Sequence, residues 1–376
     1  MSVTREKKLT VAFLGTNHPH MFNRIEIFNE MQDVEVLGFF EEDESIATQF
    51  MAHCSSYKRF TKLGDMLGPR PDLVIVEAEL AKIASYAEAA APYTRALLLE
   101  KCTAPNLAVA LDLADVLRRY PVHVMDGFVM RHLEVIEKCK EILASGVMGQ
   151  VTLTRFHSTF PIGFGVEKWQ SDPVCLGGIV YTEGGHMADL MLDTLGMPDS
   201  VLGSIVKLPP GEKLVSRFVW TDTFRNLRGQ PVEVQVGDLM YEDVGAAILH
   251  YPDKLATFDV TAWAPGKGKG WSLEFVGTNA IMIVYPWESR LEMRVAAAKG
   301  SYSDGKYTFD PGSRAPDGDA AALIGRAYET QLKRLLDLLR TDAVPSQQGI
   351  ERIVNIIRLM DGLYRSSKNG GLTISI

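Results

Sequence analysis

Cysteine is scarce. Cys54, Cys102, Cys139 and Cys175 are the only four in 376 residues. None shares a CxxC spacing with another, so neither a disulfide framework nor a thiolate zinc site is expected. Long apolar runs are absent too. No stretch approaches the roughly 20 apolar residues of a membrane span, and the run after Lys7-Lys8 is only about five residues, short of a secretion signal. With free thiols, this reads as a cytoplasmic chain with no membrane partner. Basic blocks are also missing. Lys and Arg number 39 against 47 Asp and Glu, a net charge of -8. A chain without clustered cations is a poor partner for nucleic acid or an anionic membrane. There is no internal repeat and no low-complexity tract.

What is present is globular composition, 46% hydrophobic and 23% charged, in a chain long enough for about two domains. The first third alternates short apolar runs with helical stretches. Strands are expected at Leu9–Leu14, Val34–Phe40, Leu73–Val76, Arg95–Leu99 and Val122–Met125. Helices are expected at Met21–Met31, Ile46–His53, Ala84–Ala91 and Leu107–Arg118. This is the pattern of a Rossmann-type doubly wound parallel sheet, assigned to residues 1–127.

Beyond a helix at Leu133–Ala144 the strands lengthen and alternate: Val151–Phe160, Val201–Leu208, Val232–Met240, Gly245–His250, Ala256–Trp263, Ser272–Val276 and Ala280–Val284. Residues 128–376 therefore read as an α+β domain with a large, mostly antiparallel open sheet. Gly300–Asp319 reads as loop, followed by helices at Ala320–Arg340 and Gln348–Ser367 and a strand at Leu372–Ile376. The apolar parity Ala256, Phe258, Val260 suggests a sheet face that pairs with another subunit, giving a homodimer or homotetramer.

Several residues carry candidate chemistry. Gly15 ends a strand and opens a helix, where backbone N–H groups and the helix dipole attract a dinucleotide pyrophosphate. Gly15-Thr16-Asn17-His18-Pro19-His20 keeps only the first glycine of GxGxxG. Glu41 closes the second strand, where an acid can accept both ribose hydroxyls of NAD and would repel the 2′-phosphate of NADP. His18 and His20 lack an adjacent acid or cysteine and their spacing suits no helix face, so no metal is expected, and a loop donor to phosphate is the preferred role. Lys101 follows a buried strand, where partial desolvation can lower its pKa for proton transfer. His186 stands at a helix start with Asp189 three residues on, placed to fix its tautomer.

Taken together, these segments resemble the glucose–fructose oxidoreductase, inositol dehydrogenase and rhizopine-catabolism (Gfo/Idh/MocA) family nearly end to end. Gly15 is similar to the start of its dinucleotide loop, and Glu100-Lys101-Cys102 resembles its Glu-Lys-Pro motif. Gly146–Gly149 resembles its Gly-x-x-Gly turn. Trp169–Pro173 with Gly177–Asp189 resembles its Trp-Arg…Gly-Gly-Gly…Asp-x-Gly-x-His-x-x-Asp block. Ser272–Ala280 resembles its Glu-x-x-Gly-Thr strand pair, and Val344–Ser367 its closing helix.

The resemblance implies Lys101 and His186 as the catalytic pair, with Thr182 and Asp189 beside them. It implies NAD against Gly15, Thr16, Asn17, His18, Glu41, Glu77, Glu100 and Lys101, and a small substrate near Arg131, Trp169 and Tyr181. The implied activity is hydride transfer between nicotinamide and a secondary hydroxyl of a sugar or polyol. Two alternatives stand beside it: a redox-neutral, NAD-retaining glycosidase or lyase, and a cofactor-binding sensor without turnover. Departures from the family pattern motivate them. Thr182 in place of the family's Asp keeps the redox-neutral reading open; the loop that lacks two glycines, and Glu77-Ala78 followed by Glu79 in place of Thr-Pro, motivate the sensor; and Cys102 replaces the family's Pro.

Overall fold

The computed structural model describes residues 8–161, 177–216, 232–265, 270–311 and 320–376. The N-terminal part runs β1 (Leu9–Leu14), α1 (His20–Glu30), β2 (Val34–Phe40), α2 (Glu44–His53), β3 (Arg59–Phe60), α3 (Leu63–Leu67), β4 (Leu73–Val76), α4 (Leu80–Ala90), β5 (Ala96–Leu99), α5 (Leu107–Leu117) and β6 (His123–Asp126). All six strands are parallel, in the order β3-β2-β1-β4-β5-β6. The expected doubly wound sheet is therefore present, with β3 and α3 added. Residues Leu73–Val76 and Ala96–Leu99 are buried at every position. That is why these strands read as unbroken apolar runs: helices cover both faces of a parallel sheet. The Asp43 carboxylate caps α2 by accepting from the Ser45 and Ile46 N–H groups, and the Asn106 side chain caps α5 through Val109 N–H.

Register decides what gathers at the sheet's carboxyl edge. Leu14 is paired with both Phe40 and Val76, and Val76 with Leu99. The ladder continues one step beyond, with Gly15 N–H donating to Phe40 O, Glu77 N–H to Leu14 O and Glu100 N–H to Val76 O. Gly15, Glu41, Glu77 and Glu100 are thus the first residues past four adjacent strands, on the edge where open α/β sheets bind ligands.

The chain continues through α6 (Glu134–Ala144), β7 (Val151–Pro161), α7 (Ile179–Thr182), α8 (Gly184–Leu195), β8 (Ser200–Val206), β9 (Lys213–Ser216), β10 (Val232–Gln235), β11 (Val244–His250), β12 (Leu255–Ala264), β13 (Trp271–Gly277), β14 (Ala280–Tyr285), β15 (Arg290–Val295), β16 (Gly305–Phe309), α9 (Ala320–Arg340), α10 (Gln348–Lys368) and β17 (Ile374–Ser375). Nine of these strands form one sheet, β16-β15-β14-β13-β7-β12-β11-β8-β17. Every pairing in it is antiparallel except β7 with β12. The sheet is larger than the sequence pattern indicates. β15 lies outside the expected strands, and β16 falls in a segment read as loop because its glycines and aspartates mask a five-residue edge strand.

The two closing helices join both halves. Leu332, Leu335, Leu336 and Leu339 of α9 share one core with Phe13, Phe28, Phe39 and Phe50 of the parallel sheet's layer. α10 packs on both α5 and β8. One expectation is overturned here. Ala256, Phe258 and Val260 are buried, and Phe258 lies beside Gly184 of α8 and lines an apolar gap with Met360 and Leu363 of α10. That parity is covered by the chain's own helices. The opposite parity carries the half-exposed pair His157–Asp259 and the exposed Ile281.

Candidate active site

Gly15 sits at φ +73°, and a Cβ there would lie 2.8 Å from the Ala78 Cβ. Only glycine lets the chain turn this closely past the end of β4. Next to it, the buried Glu41 carboxylate receives Thr16 N–H at 2.8 Å and the Thr16 hydroxyl at 3.3 Å, and its other oxygen receives Asp43 N–H at 3.1 Å. Glu41 is therefore not a solvated loop acid but a fixed carboxylate tying the first loop to the second. Asn17 and His20 occupy the second and third fingerprint-glycine positions, and both are bonded inward. Asn17 Nδ2 donates to Glu79 Oε2 at 3.0 Å, and His20 Nδ1 lies 3.0 Å from Glu100 Oε1.

Beneath this loop lies a buried charge cluster. The Arg24 guanidinium of α1, fully buried, pairs with Glu77 and lies 3.3 Å from Glu100 Oε2. It rests 5.0 Å from the centre of the Tyr328 ring of α9, with Gln331 Oε1 at 3.4 Å. His18 stands 3.8 Å from both Glu77 Oε2 and Glu100 Oε1. Burial drives the pKa of His18 far below its ordinary value despite the opposing pull of Glu100, and lowers that of His20 in the same way. Burial alone would raise the Glu100 carboxyl, but His18, His20 and Arg24 together hold it well below the usual carboxylate range.

The second structural element of the site is α7–α8. Gly178, at φ +100°, leads into α7, with no room for a Cβ against the Glu242 carboxylate. That carboxylate accepts Val180 N–H at 2.9 Å and is bonded by the Tyr364 hydroxyl. The turn so held presents Glu183 to the end of β5. Lys101 Nζ lies 2.8 Å from Glu183 Oε1, with both side chains almost fully buried. Burial acts to lower the Lys101 pKa, but the Glu183 carboxylate outweighs it and the pKa stands above lysine's ordinary value. Lys101 is thus held as an ammonium, the reverse of the lowered pKa expected from its position in the sequence. The Lys101–Cys102 peptide is cis.

His186 begins one turn after Glu183, its N–H donating to Glu183 O at 3.2 Å. Its ring packs edge-on against Phe128, centroids 5.1 Å apart, and 5.5 Å from the Trp271 ring. Phe128 and Cys102 in turn pack on Gly185. The segment that follows Lys101 and the helix start that carries His186 are therefore in contact, through Cys102 and Gly185.

Other expected site residues are placed differently. The Thr182 hydroxyl donates to Gly178 O at 2.7 Å, so it is committed to its own helix. The Tyr181 hydroxyl donates to Ala104 O at 2.7 Å, an internal tie rather than a pocket contact. Arg131 is buried between Asp126 and Asp189, at 2.7 and 2.8 Å. Asp189 Oδ1 also receives Arg352 Nη2 at 2.6 Å. Arg131 and Asp189 thus form an internal ionic lattice joining β6, α8 and α10, in place of the substrate contact and imidazole support expected of them. Trp169 lies outside the described residues. Four participants went unread in the sequence: Glu183, Arg24, Tyr328 and Gln331. Glu183 had a signal, being an acid next to the position where Thr182 replaces one. The other three are brought in by helices whose packing no local pattern reveals.

A six-stranded parallel sheet and a nine-stranded, mostly antiparallel sheet, each with its helices, define a two-part α/β architecture. Residues 136–283 match the GFO/IDH/MocA C-terminal domain. The chain is also similar to the dehydrogenase aclE of Aspergillus oryzae, 34% identical over 131 residues, a stretch covering 34% of this chain and 36% of that protein. Two solved structures share the fold over almost the whole length. One is an oxidoreductase from Agrobacterium radiobacter in complex with NAD+, L-tartaric acid and magnesium, 16% identical, covering 98% of each chain with a TM-score of 0.73. The other is the WlbA dehydrogenase from Bordetella pertussis in complex with NADH and UDP-GlcNAcA, 14% identical, covering 99% of this chain and 98% of that one with a TM-score of 0.76.

Proposed function

We propose that this chain is an NAD-linked dehydrogenase or reductase acting on a secondary hydroxyl of a small sugar- or polyol-like molecule. The observation that carries the reading is the buried Lys101–Glu183 ion pair, one turn ahead of His186, at the carboxyl edge of the parallel sheet. The solved relatives just described hold NAD or NADH and small oxygen-rich molecules, and the fold they share with this chain supports the same use of the edge.

The residues present fit a dinucleotide. Gly15 permits close backbone approach, and Glu41 is a fixed acceptor at the ribose-binding end of β2. Thr16, Asn17 and His18 would line the phosphates, and Glu77, Glu100 and Lys101 the nicotinamide side. When bound, nicotinamide accepts or returns the hydride of the carbon bearing the hydroxyl. Lys101, as an ammonium, donates a hydrogen bond to the substrate oxygen and stabilises negative charge as it develops there. Glu183 orients Lys101 and supplies the carboxylate that Thr182 does not. His186 takes the hydroxyl proton in oxidation and returns it in reduction.

Association through the outward face of the nine-stranded sheet, where His157, Asp259 and Ile281 lie, is part of the proposal, as is a cytoplasmic setting. No helix among the described residues is long and apolar enough to cross a membrane. The test is to supply purified protein with NAD and a panel of sugars, polyols and hydroxy acids and to follow NADH. Net NADH with one or more of them supports the reading. Product without net NADH would point to redox-neutral chemistry, and NAD binding without any product to a sensor. A scattering mass near 41.6 kDa, that of one chain, would reject the oligomer.

A further inference from the structure

His18, His20 and Glu100 come together as no local sequence spacing indicates. The acid missing beside the two histidines arrives from the end of β5, 80 residues from His20. Among the described residues this is the one group of three whose ligand atoms all lie within 4.8 Å of one another. His20 Nδ1 is 3.0 Å and His18 Nε2 3.8 Å from the same oxygen, Glu100 Oε1. Tetrahedral zinc, with bonds of about 2.0–2.2 Å to nitrogen and oxygen, needs ligand atoms spaced about 3.3–3.5 Å apart, between those two values.

The two oxygens of Glu100 are divided in their use. Oε2 faces Arg24, while Oε1 faces both imidazoles. A second carboxylate stands behind the first ligand: Glu77 Oε2 is 3.8 Å from His18 Nδ1. At that distance it makes no hydrogen bond, but it stands on the side of the ring where a metal-bound histidine takes an outer carboxylate, which on metal binding would set the tautomer that ligates through Nε2. His20 N–H also approaches His18 Nδ1, but at 3.3 Å, a long contact that the outer carboxylate would replace. In charge, Glu77 and Glu100 are both fully buried and face a single guanidinium. The cluster with neutral imidazoles therefore carries an excess negative charge that a cation offsets.

We infer that His18, His20 and Glu100 form a site for one divalent ion of the zinc class, with Glu77 as the outer partner of His18 and one coordination position left toward the cleft. Two imidazoles and a carboxylate with an open position is the ligand set of a reactive rather than a closed structural zinc site. The partly exposed His20, its side chain 22% accessible, provides the path of entry.

The test uses the full chain stripped with chelator and desalted, and reads metal rather than activity. Zn2+ is titrated in competition with a chromophoric chelator, and Co2+ is added separately for its visible absorption. One equivalent of each, with the absorption intensity of a low-coordinate Co2+ site, is expected. His20→Ala and Glu100→Gln should each weaken Zn2+ binding at least about tenfold, and Glu77→Gln by about 10- to 100-fold. His20→Ala, at the most exposed ligand, is the variant expected to keep the fold, and circular dichroism checks it. Absence of stoichiometric binding by wild-type protein, or binding unchanged in folded His20→Ala, would overturn the inference. NAD binding by the metal-free protein is measured apart, so failure of the metal site and failure of the dehydrogenase reading are told apart.

Discussion

Lys101 Nζ and Glu183 Oε1 stand 2.8 Å apart in a region closed to solvent, although 82 residues separate them. A buried ion pair is weak evidence for stability, because desolvation offsets much of the attraction. Its consequence here is chemical. The carboxylate keeps the amine charged where burial would discharge it. Replacing Glu183 by Gln should lower the pKa of Lys101 and shift the alkaline limb of the pH–rate profile to lower pH. Glu183→Asp should restore part of the wild-type profile, which a purely structural role would not do. The pH dependence of kcat/KM checks both.

In the proposed mechanism, loss of either Lys101 or His186 should be costly. Lys101→Met and His186→Asn are each expected to reduce kcat by about 10²- to 10⁴-fold, with NAD affinity changed much less. Steady-state kinetics with the best substrate, alongside a fluorescence titration of NAD, separates the two effects.

In the proposed reading Glu41 selects NAD over NADP. Glu41→Ser removes the fixed carboxylate, so NAD affinity should fall by about tenfold, roughly the 1.4 kcal/mol of one charge-assisted hydrogen bond. NADP should gain relative to NAD, because its 2′-phosphate is no longer repelled. The ratio of Kd values for the two cofactors reports the change. A small fall in Tm is also expected, since Thr16 and Asp43 lose their acceptor.

Acid should weaken the fold through three histidines. Burial lowers the pKa of His18 and His20, and takes that of His132 down to about 2. The unfolded chain therefore binds more protons than the folded one once the pH drops below about 6.5. The stability these groups contribute is fully present above that pH and is lost as the pH falls from there toward their folded pKa values. Each neutral histidine adds up to about 1.4 kcal/mol per pH unit to the slope. Denaturant melts from pH 7 to 5 should show the slope, and His132→Gln should flatten it by about that amount.

The Asp126–Arg131–Asp189–Arg352 lattice should reveal itself in stability. Asp189→Ala leaves Arg131 and Arg352 short of a carboxylate that both contact at 2.6–2.8 Å. A loss of about 3–5 kcal/mol is expected, read from denaturant melts. Any fall in activity should track the folded fraction.

The parallel sheet was legible because its strands are buried on both faces and separated by helices of ordinary length. Hydrophobic runs and periodicity then point the same way. The places of Gly15, Glu41 and Lys101 were legible for a related reason: Gly15 and Glu41 directly follow such a run and Lys101 comes one residue later, and position after a strand puts a residue at the edge where open α/β sheets bind ligands. The site's other half was harder. Thr182 occupies the position of the resembled acid, yet its hydroxyl bonds to Gly178 O and the neighbouring Glu183 meets Lys101. A shift of one residue on a short helix decides which side chain faces the cleft, and one-dimensional alignment cannot supply that rotation. The parity of Ala256, Phe258 and Val260 correctly marked an apolar sheet face, but the covering helices α8 and α10 come from distant segments, so the face is internal. Arg24 and Tyr328 lay beyond sequence reading because their contact depends on how α9 docks on α1.

The central claim is that Lys101 and His186 act on one reacting carbon. Single-turnover formation of NADH from the best substrate tests it most directly, comparing wild type, Lys101→Met, His186→Asn and the double variant. The account predicts that the double variant is scarcely slower than the worse of the single ones, as for residues that work as a unit. Fully multiplicative losses, or unchanged turnover in either single variant with NAD still bound, would contradict it.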